Sequence, residues 1–235
     1  MSTFGSFAIA WDILLGPNYD LTIPSNLLLI LGWITSGWVI GIHMGTPCQS
    51  FTRARDHGPG PPPLRSNEHP LGLPGLARAG DLRAVQIGNT LMRVSVRVLR
   101  ACARARIPCS IENPRSSRIW LCPQIESVLR LRCCSSVIVD YCMFGKPWRK
   151  STIFAGVHLD WSGLGKFRCL GAAPGLCRRT GFPHQQLSGV NDAGVFWTKI
   201  AEPYPTKLCY LVATAFVNFE VSETANRMWK LISAC

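Results

Sequence analysis

Residues 85–114, VQIGNTLMRVSVRVLRACARARIPCSIENP, read as one long helix breaking at a proline into a short strand. Ile87, Leu91, Val94, Val98 and Cys102 recur at helical spacing and predict a buried face over 85–106. Arg93, Arg97, Arg100 and Arg104 repeat that spacing on the neighbouring face. Pro108 ends the helix, and Cys109–Ile111 forms an apolar strand leading into Glu112-Asn113-Pro114. The same alternation continues outward. Downstream, a helix over Pro123–Arg132 precedes a strand over Ser136–Tyr141. Upstream, Pro24-Ser25-Asn26 opens a helix with Ser25 or Asn26 as its cap, and a turn follows at Ser36–Gly37. A buried strand over Trp38–Met44 then runs into Gly45-Thr46-Pro47-Cys48. A first strand is expected over Phe7–Trp11, with Asp12 at its end. Helices alternating with apolar strands imply an α/β fold with a mostly parallel sheet. Asp12, Cys48 and Glu112 all fall at strand ends, where such sheets gather functional groups.

Composition narrows the partners. The formal charge is +12, yet residues 1–52 contain no Lys or Arg, while 53–106 carry ten Arg against Asp56, Glu68 and Asp81. That local excess, made wholly of Arg, suits a polyanion, with a solubilising surface as the alternative. No basic amphipathic segment flanks an apolar one, so nucleic acid is favoured over a membrane surface. The apolar run Leu27–Ile42 is shorter than the roughly 20 residues a spanning helix needs, and Gly32, Gly37 and Gly41 interrupt it. A hydrophobic content of 47% argues against a disordered chain. Eleven cysteines, an odd number, with Cys133 and Cys134 adjacent, read poorly as a disulfide framework. Met1–Asp12 lacks the basic start and long apolar run of a secretory signal. Reduced thiols in a nuclear or cytoplasmic compartment, not a secreted protein, are expected.

The chemistry centres on Pro47-Cys48-Gln49-Ser50-Phe51. A cysteine at a strand end, after a proline and before a loop, is placed as an exposed nucleophile, although most cysteines are small core residues. The loop over Asp56–Pro74 is too rich in proline and glycine for a helix and long enough to be a lid. Glu112, ending an apolar strand, is expected to have a raised pKa and to serve as a proton donor, unless it pairs with an Arg.

These segments resemble the cytosine-C5 DNA methyltransferase family. The resemblance rests on GTPCQSF at 45–51, IEN at 111–113 and FGKPWRK at 144–150, in the family's order, and covers about residues 8–155. It implies a Rossmann-like S-adenosylmethionine-dependent methyltransferase sheet and methyl transfer to cytosine C5 in DNA. In that chemistry the Cys48 thiolate adds to cytosine C6 and turns C5 into an enamine carbon. Glu112 would hydrogen-bond the N3 edge, Asn113 would hold the loop, and Arg149 would steady the base or the loop. Asp12, in Ala10-Trp11-Asp12, would take the cofactor ribose, with Pro47 beside the cofactor. Since the base must leave the duplex, phosphate contacts are expected from Arg53 and Arg55, and from Arg93 and Arg97 on the helix.

The sequence also departs from the family. No Phe-x-Gly-x-Gly loop precedes Trp11; Phe4-Gly5-Ser6-Phe7 has the wrong spacing. Pro114 stands for the valine after Glu-Asn, and Trp148 for the glutamine of the third segment, whose second arginine is lacking. The resemblance therefore implies a divergent methyltransferase sheet, incomplete at its N-terminus and inactive as it stands. Two other readings stay open: a non-catalytic DNA-binding relic of a mobile element or truncated gene, and an RNA cytosine methyltransferase. The expected organisation is a catalytic region over 1–165, with a mobile loop over 52–75, and a small Cys/His-containing region over 166–235 with a closing helix over Leu208–Phe219. Cys169, Cys177 and His184 have ligand types that suit zinc, and Cys142 is an available fourth. Their spacing is unlike that of ordinary zinc modules, so packing of cysteines in a loop-rich region is preferred and no metal is expected.

Overall fold

The computed structural model describes residues 8–56, 61–171, 173 and 175–233. Four strands form one open mixed sheet: β1 Ile42–Gly45, β2 Cys109–Pro114, β3 Cys134–Asp140 and β4 Ser151–Val157, in the order β1-β2-β4-β3. The helices are α1 Pro24–Thr35, α2 Ala79–Ala105, α3 Pro123–Leu129, α4 Trp197–Ile200 and α5 Thr206–Ser233. The fold is α/β. The expected mostly parallel sheet is corrected, because only β1 and β2 are parallel neighbours. β4, which the sequence reading did not anticipate, runs antiparallel to both β2 and β3. The ten residues between β3 and β4 are enough to reverse the chain but short of a crossover helix, which accounts for the antiparallel return.

The expected strand Phe7–Trp11 is also corrected. Phe7 lies outside the described residues, and Ala8–Trp11 have no regular structure. Asp12 instead caps a 3-10 turn, Ile13–Leu15, accepting from the Leu14 N–H at 2.9 Å. Trp11 is held by edge-on contacts with Tyr19 and Trp33, not by a sheet. Neither Ser25 nor Asn26 caps α1. Pro24 occupies the first helical position after Ile23, and the Asn26 amide donates to the Asp20 carbonyl at 2.8 Å. Gly37 turns the chain with φ +72°, and β1 begins only at Ile42. Among the described residues, no helix is long and apolar enough to cross a membrane.

Helix α2 buries Val85, Gly88, Met92, Ser95, Val96, Leu99 and Cys102, along with Val94 and Val98. Ile87 lies off this stripe and is exposed, correcting its expected place in the core. One hydrophobic core joins α1, α2 and α3 to one face of the sheet through Ile34, Met92, Leu99, Ile111, Ile125 and Val157. On the other face, Val139, Tyr141, Phe154 and Trp161 pack with Leu208, Val212 and Ala215 of α5. The expected closing helix thus covers the sheet directly, and its core crosses residue 165. The sheet is a middle layer, apolar on both faces.

Candidate active site

Parallel pairing of β1 with β2 sets the geometry, since Gly45 is the register partner of Glu112. The chain leaving β1 therefore passes beside Glu112 and Asn113 as it enters Thr46-Pro47-Cys48. Asn113 is buried, and its amide donates to the Thr46 carbonyl at 2.6 Å and to the Glu112 carbonyl at 2.8 Å. The Thr46 hydroxyl bonds Ser95 of α2 at 2.7 Å. A turn closes from the Phe51 N–H to the Cys48 carbonyl at 2.9 Å, and the Arg118 N–H holds the Phe51 carbonyl at 2.9 Å. Asn113 thus fastens the turn to the strand ends. Pro47 is exposed beside Cys48.

Beneath the turn lies Arg65, which the sequence reading missed. Only 1% exposed, it donates to the Ser50 carbonyl and hydroxyl, the Pro70 and Val85 carbonyls, and Asn89, while its guanidinium lies 3.7 Å from the Phe51 ring centre. An arginine within a Pro-rich loop reads as surface, so only the tertiary fold exposes this role. Gly88 makes room for it, because a Cβ there would collide with the Ser50 hydroxyl and stand 2.9 Å from the Arg65 guanidinium. The described parts of the expected mobile loop over 52–75 are consequently tethered, with Arg65 at one end and a bidentate Arg118–Asp56 pair at the other. Residues 57–60 lie outside the described residues.

Cys48 is partly buried and lines a cleft of about 790 Å³ together with Arg53, Arg115, Trp120, Lys150 and Glu202. Burial pushes its thiol pKa up, Glu112 pushes in the same direction, and Lys150 opposes both. Burial likewise raises the Glu112 carboxyl, against the pull of Lys150 and of a 3.0 Å hydrogen bond from the Tyr204 hydroxyl to Oε2. Thr152 pulls in the same direction as Tyr204, and the other carboxyl oxygen, Oε1, is buried. Burial lowers Lys150, while Glu112 and Cys48 raise it. A thiol just beyond β1, a carboxyl on β2 and an ammonium just before β4 thus act on one another.

The cation in this group is not the expected one. Arg149 turns to the buried Asp140 at 3.4 Å, a carboxylate it shares with Arg168 at 3.3 Å, the Cys169 N–H at 2.6 Å and the Ser151 hydroxyl. Lys150 takes the inward place, with φ +25°, its ammonium 2.8 Å from the Ala201 carbonyl and 4.7 Å from the Tyr141 ring centre. This left-handed backbone costs on the order of 1–3 kcal/mol, and strand alternation places Lys150 on the same face as the buried Thr152 and Phe154. The family pattern pointed to the neighbouring arginine.

The other expected residues are dispersed. Asp12 is exposed and occupied as a cap, so it forms no part of this cleft. Arg53 lines the cleft and donates to Asn67 at 2.7 Å, while Arg55 reaches the Pro62 carbonyl at 3.5 Å. Arg93 and Arg97 stand exposed on α2. Cys142, Cys169, Cys177 and His184 converge away from the cleft, with ligand atoms all within 4.8 Å of one another. The ten described cysteines are free thiols. Compared with known proteins, the chain matches no family model, no curated protein and no solved structure.

Proposed function

We propose that the cleft is the base-activating site of a cytosine-C5 methyltransferase-like domain acting on nucleic acid, DNA in the first instance. The observation that carries this reading is that Cys48 just beyond β1, Glu112 on the neighbouring parallel strand β2 and Lys150 just before β4 lie close enough to act on one another. The Cys48 sulfur bonds to C6 of cytosine, and the electron pair of the C5–C6 double bond moves into the ring toward N3. Glu112, kept protonated more readily by burial, donates to N3 and limits the charge that builds there. Burial and Glu112 raise the Cys48 thiol, and Lys150 offsets part of that rise. C5 then takes a proton from water, loses its original hydrogen, and expulsion of the thiolate restores the ring.

S-adenosylmethionine does not fit the described residues. Asp12, the expected ribose ligand, is turned back on its own 3-10 turn, and β1 pairs only with β2 among the described residues. The proposal is therefore confined to activation of the base. It is tested by release of tritium from C5 of cytosine in a DNA oligonucleotide, with no cofactor added. Release that disappears in Cys48→Ser is expected, and no release from the parent chain would sink the reading. An RNA oligonucleotide run in parallel separates the two nucleic acids. The position of Asp12 favours a second reading, nucleic-acid binding without chemistry, for which salt-dependent binding would persist with no release.

A further inference from the structure

Cys142 lies just after β3, while Cys169, Cys177 and His184 come from the loop that follows β4. The three cysteines form a buried cluster of their own, with only Met143 packed against it among apolar neighbours. That is a weak hydrophobic nucleus for a segment whose β-pairing between 168 and 196, among the described residues, amounts to two isolated bridges, Leu176–Pro183 and Val190–Phe196. Its other ties to the sheet are Leu187 against the second core, the Gln185 N–H on the Pro147 carbonyl, and Arg168 and the Cys169 N–H on Asp140.

The distances suit a metal. Tetrahedral zinc with Zn–S of about 2.3 Å separates two sulfurs by roughly 3.8 Å, and a sulfur from an imidazole nitrogen by roughly 3.6 Å. Cys169 Sγ lies 4.0 Å from Cys177 Sγ and 3.5 Å from His184 Nε2. A disulfide would require a sulfur separation of about 2.0 Å.

The surroundings orient the ligands. The Arg178 N–H donates to Cys169 Sγ at 3.2 Å, and buried Asp140 accepts from the Cys169 N–H. Arg179 donates to the Cys142 carbonyl at 2.7 Å, and the Cys177 N–H to the Phe182 carbonyl at 2.8 Å. These are the outer contacts a rigid site needs. Three thiolates and a neutral imidazole around Zn²⁺ leave one negative charge, which suits a neighbourhood holding Arg168, Arg178 and Arg179.

We propose that Cys142, Cys169, Cys177 and His184 bind one structural zinc ion. Four protein ligands close the coordination sphere, so the ion has no open position for substrate and serves to staple the loop after β4 to the end of β3. This inference does not depend on the chemistry assigned to Cys48.

Elemental analysis of the purified full chain should find about one zinc per chain. After chelation under reducing conditions, added cobalt(II) should give the intense visible bands of a tetrahedral thiolate site, saturate at one equivalent and yield to zinc. Cys177→Ala should lose this stoichiometric binding, while Cys209→Ala, at an exposed thiol, should keep it. His184→Cys preserves four ligands, so it should still bind cobalt with stronger sulfur-to-metal charge transfer. That variant keeps the test open if the alanine variant fails to fold. Chain free of stoichiometric zinc, a cobalt spectrum unchanged by His184→Cys, or a Cys169–Cys177 disulfide in the peptide map would overturn the proposal.

Discussion

Two groups of cysteine lie at opposite kinds of address in this fold. Cys48 stands at a strand end, lines a cleft and feels Glu112 and Lys150. Cys142, Cys169 and Cys177 are buried together, with His184 as their fourth neighbour. A thiol is useful as a nucleophile where a substrate can reach it and a cation favours its thiolate. It is useful as a ligand where other soft donors converge and substrate cannot enter. Residue type does not separate these fates, but neighbours and access do.

The sharpest test of that division is a pair of substitutions. Cys48→Ser should remove tritium release by several orders of magnitude, as loss of a nucleophile does, while zinc content and melting temperature stay unchanged. Glu112→Gln should lower release by roughly 10²–10⁴-fold, the usual worth of a positioned acid. The same variant should be more stable at neutral pH. Because the folded pKa of Glu112 is raised, its contribution is greatest below the ordinary value of 4.5 and is lost as pH rises through the folded value. Glutamine imitates the neutral acid and removes that loss, so thermal melts of the two proteins should converge in acid and diverge above it. Equal melting curves at every pH would mean that Glu112 is not held protonated by the fold.

Removing the metal should act on the other group. A cross-link worth about 3 kcal/mol corresponds to a fall of roughly 6–12 °C in Tm for a chain of this size. Hydrogen exchange should then rise across 158–196 and remain slow at Asn113 and Phe51. Faster exchange at both places would show that the two thiol regions are one cooperative unit, and the contrast between them would collapse. Gly88→Ala is a smaller perturbation on the Cys48 side. Its methyl group would press on Ser50 and Arg65, costing about 1–3 kcal/mol in denaturant unfolding and loosening the Cys48 turn without reducing zinc content.

Much of the first region was legible because its signals are local. The helix over 85–106, the strand entering Glu112-Asn113 and the position of Cys48 all follow from periodicity and proline placement. β4 was not legible, since Ser151–Val157 is a short run buried on both faces and periodicity gives it no direction. Lys150 was hidden because the strand whose alternation turns it inward was itself missed, and Arg65 by a loop whose composition reads as surface. The Cys/His cluster was legible by residue type but not by spacing. Cys142 belongs to the end of β3, and only the antiparallel return of β4 brings the later ligands back to it. The adjacency of Cys142 to a strong strand was the one signal that could have promoted it.

The weakest expected effect concerns the arginines, and it asks which surface nucleic acid uses. Arg53 lines the same cleft as Cys48, whereas Arg93 and Arg97 project from the exposed face of α2. Each phosphate neutralised by a basic side chain contributes about 0.9 to the slope of log affinity against log salt on duplex DNA. Replacing Arg53 and Arg55 by alanine should therefore flatten that slope by up to about 2, and should weaken binding to all sequences alike, because phosphate contacts carry no base information. Arg93→Ala with Arg97→Ala should flatten it less, since a backbone seated over Cys48 runs along the cleft wall rather than the solvent face of α2. Fluorescence anisotropy across a salt series measures both slopes. An affinity flat across salt for the parent chain would exclude phosphate contacts altogether. A larger change from the α2 pair than from the cleft pair would move the nucleic-acid surface away from Cys48, and with it the ground for reading that thiol as a nucleophile toward cytosine.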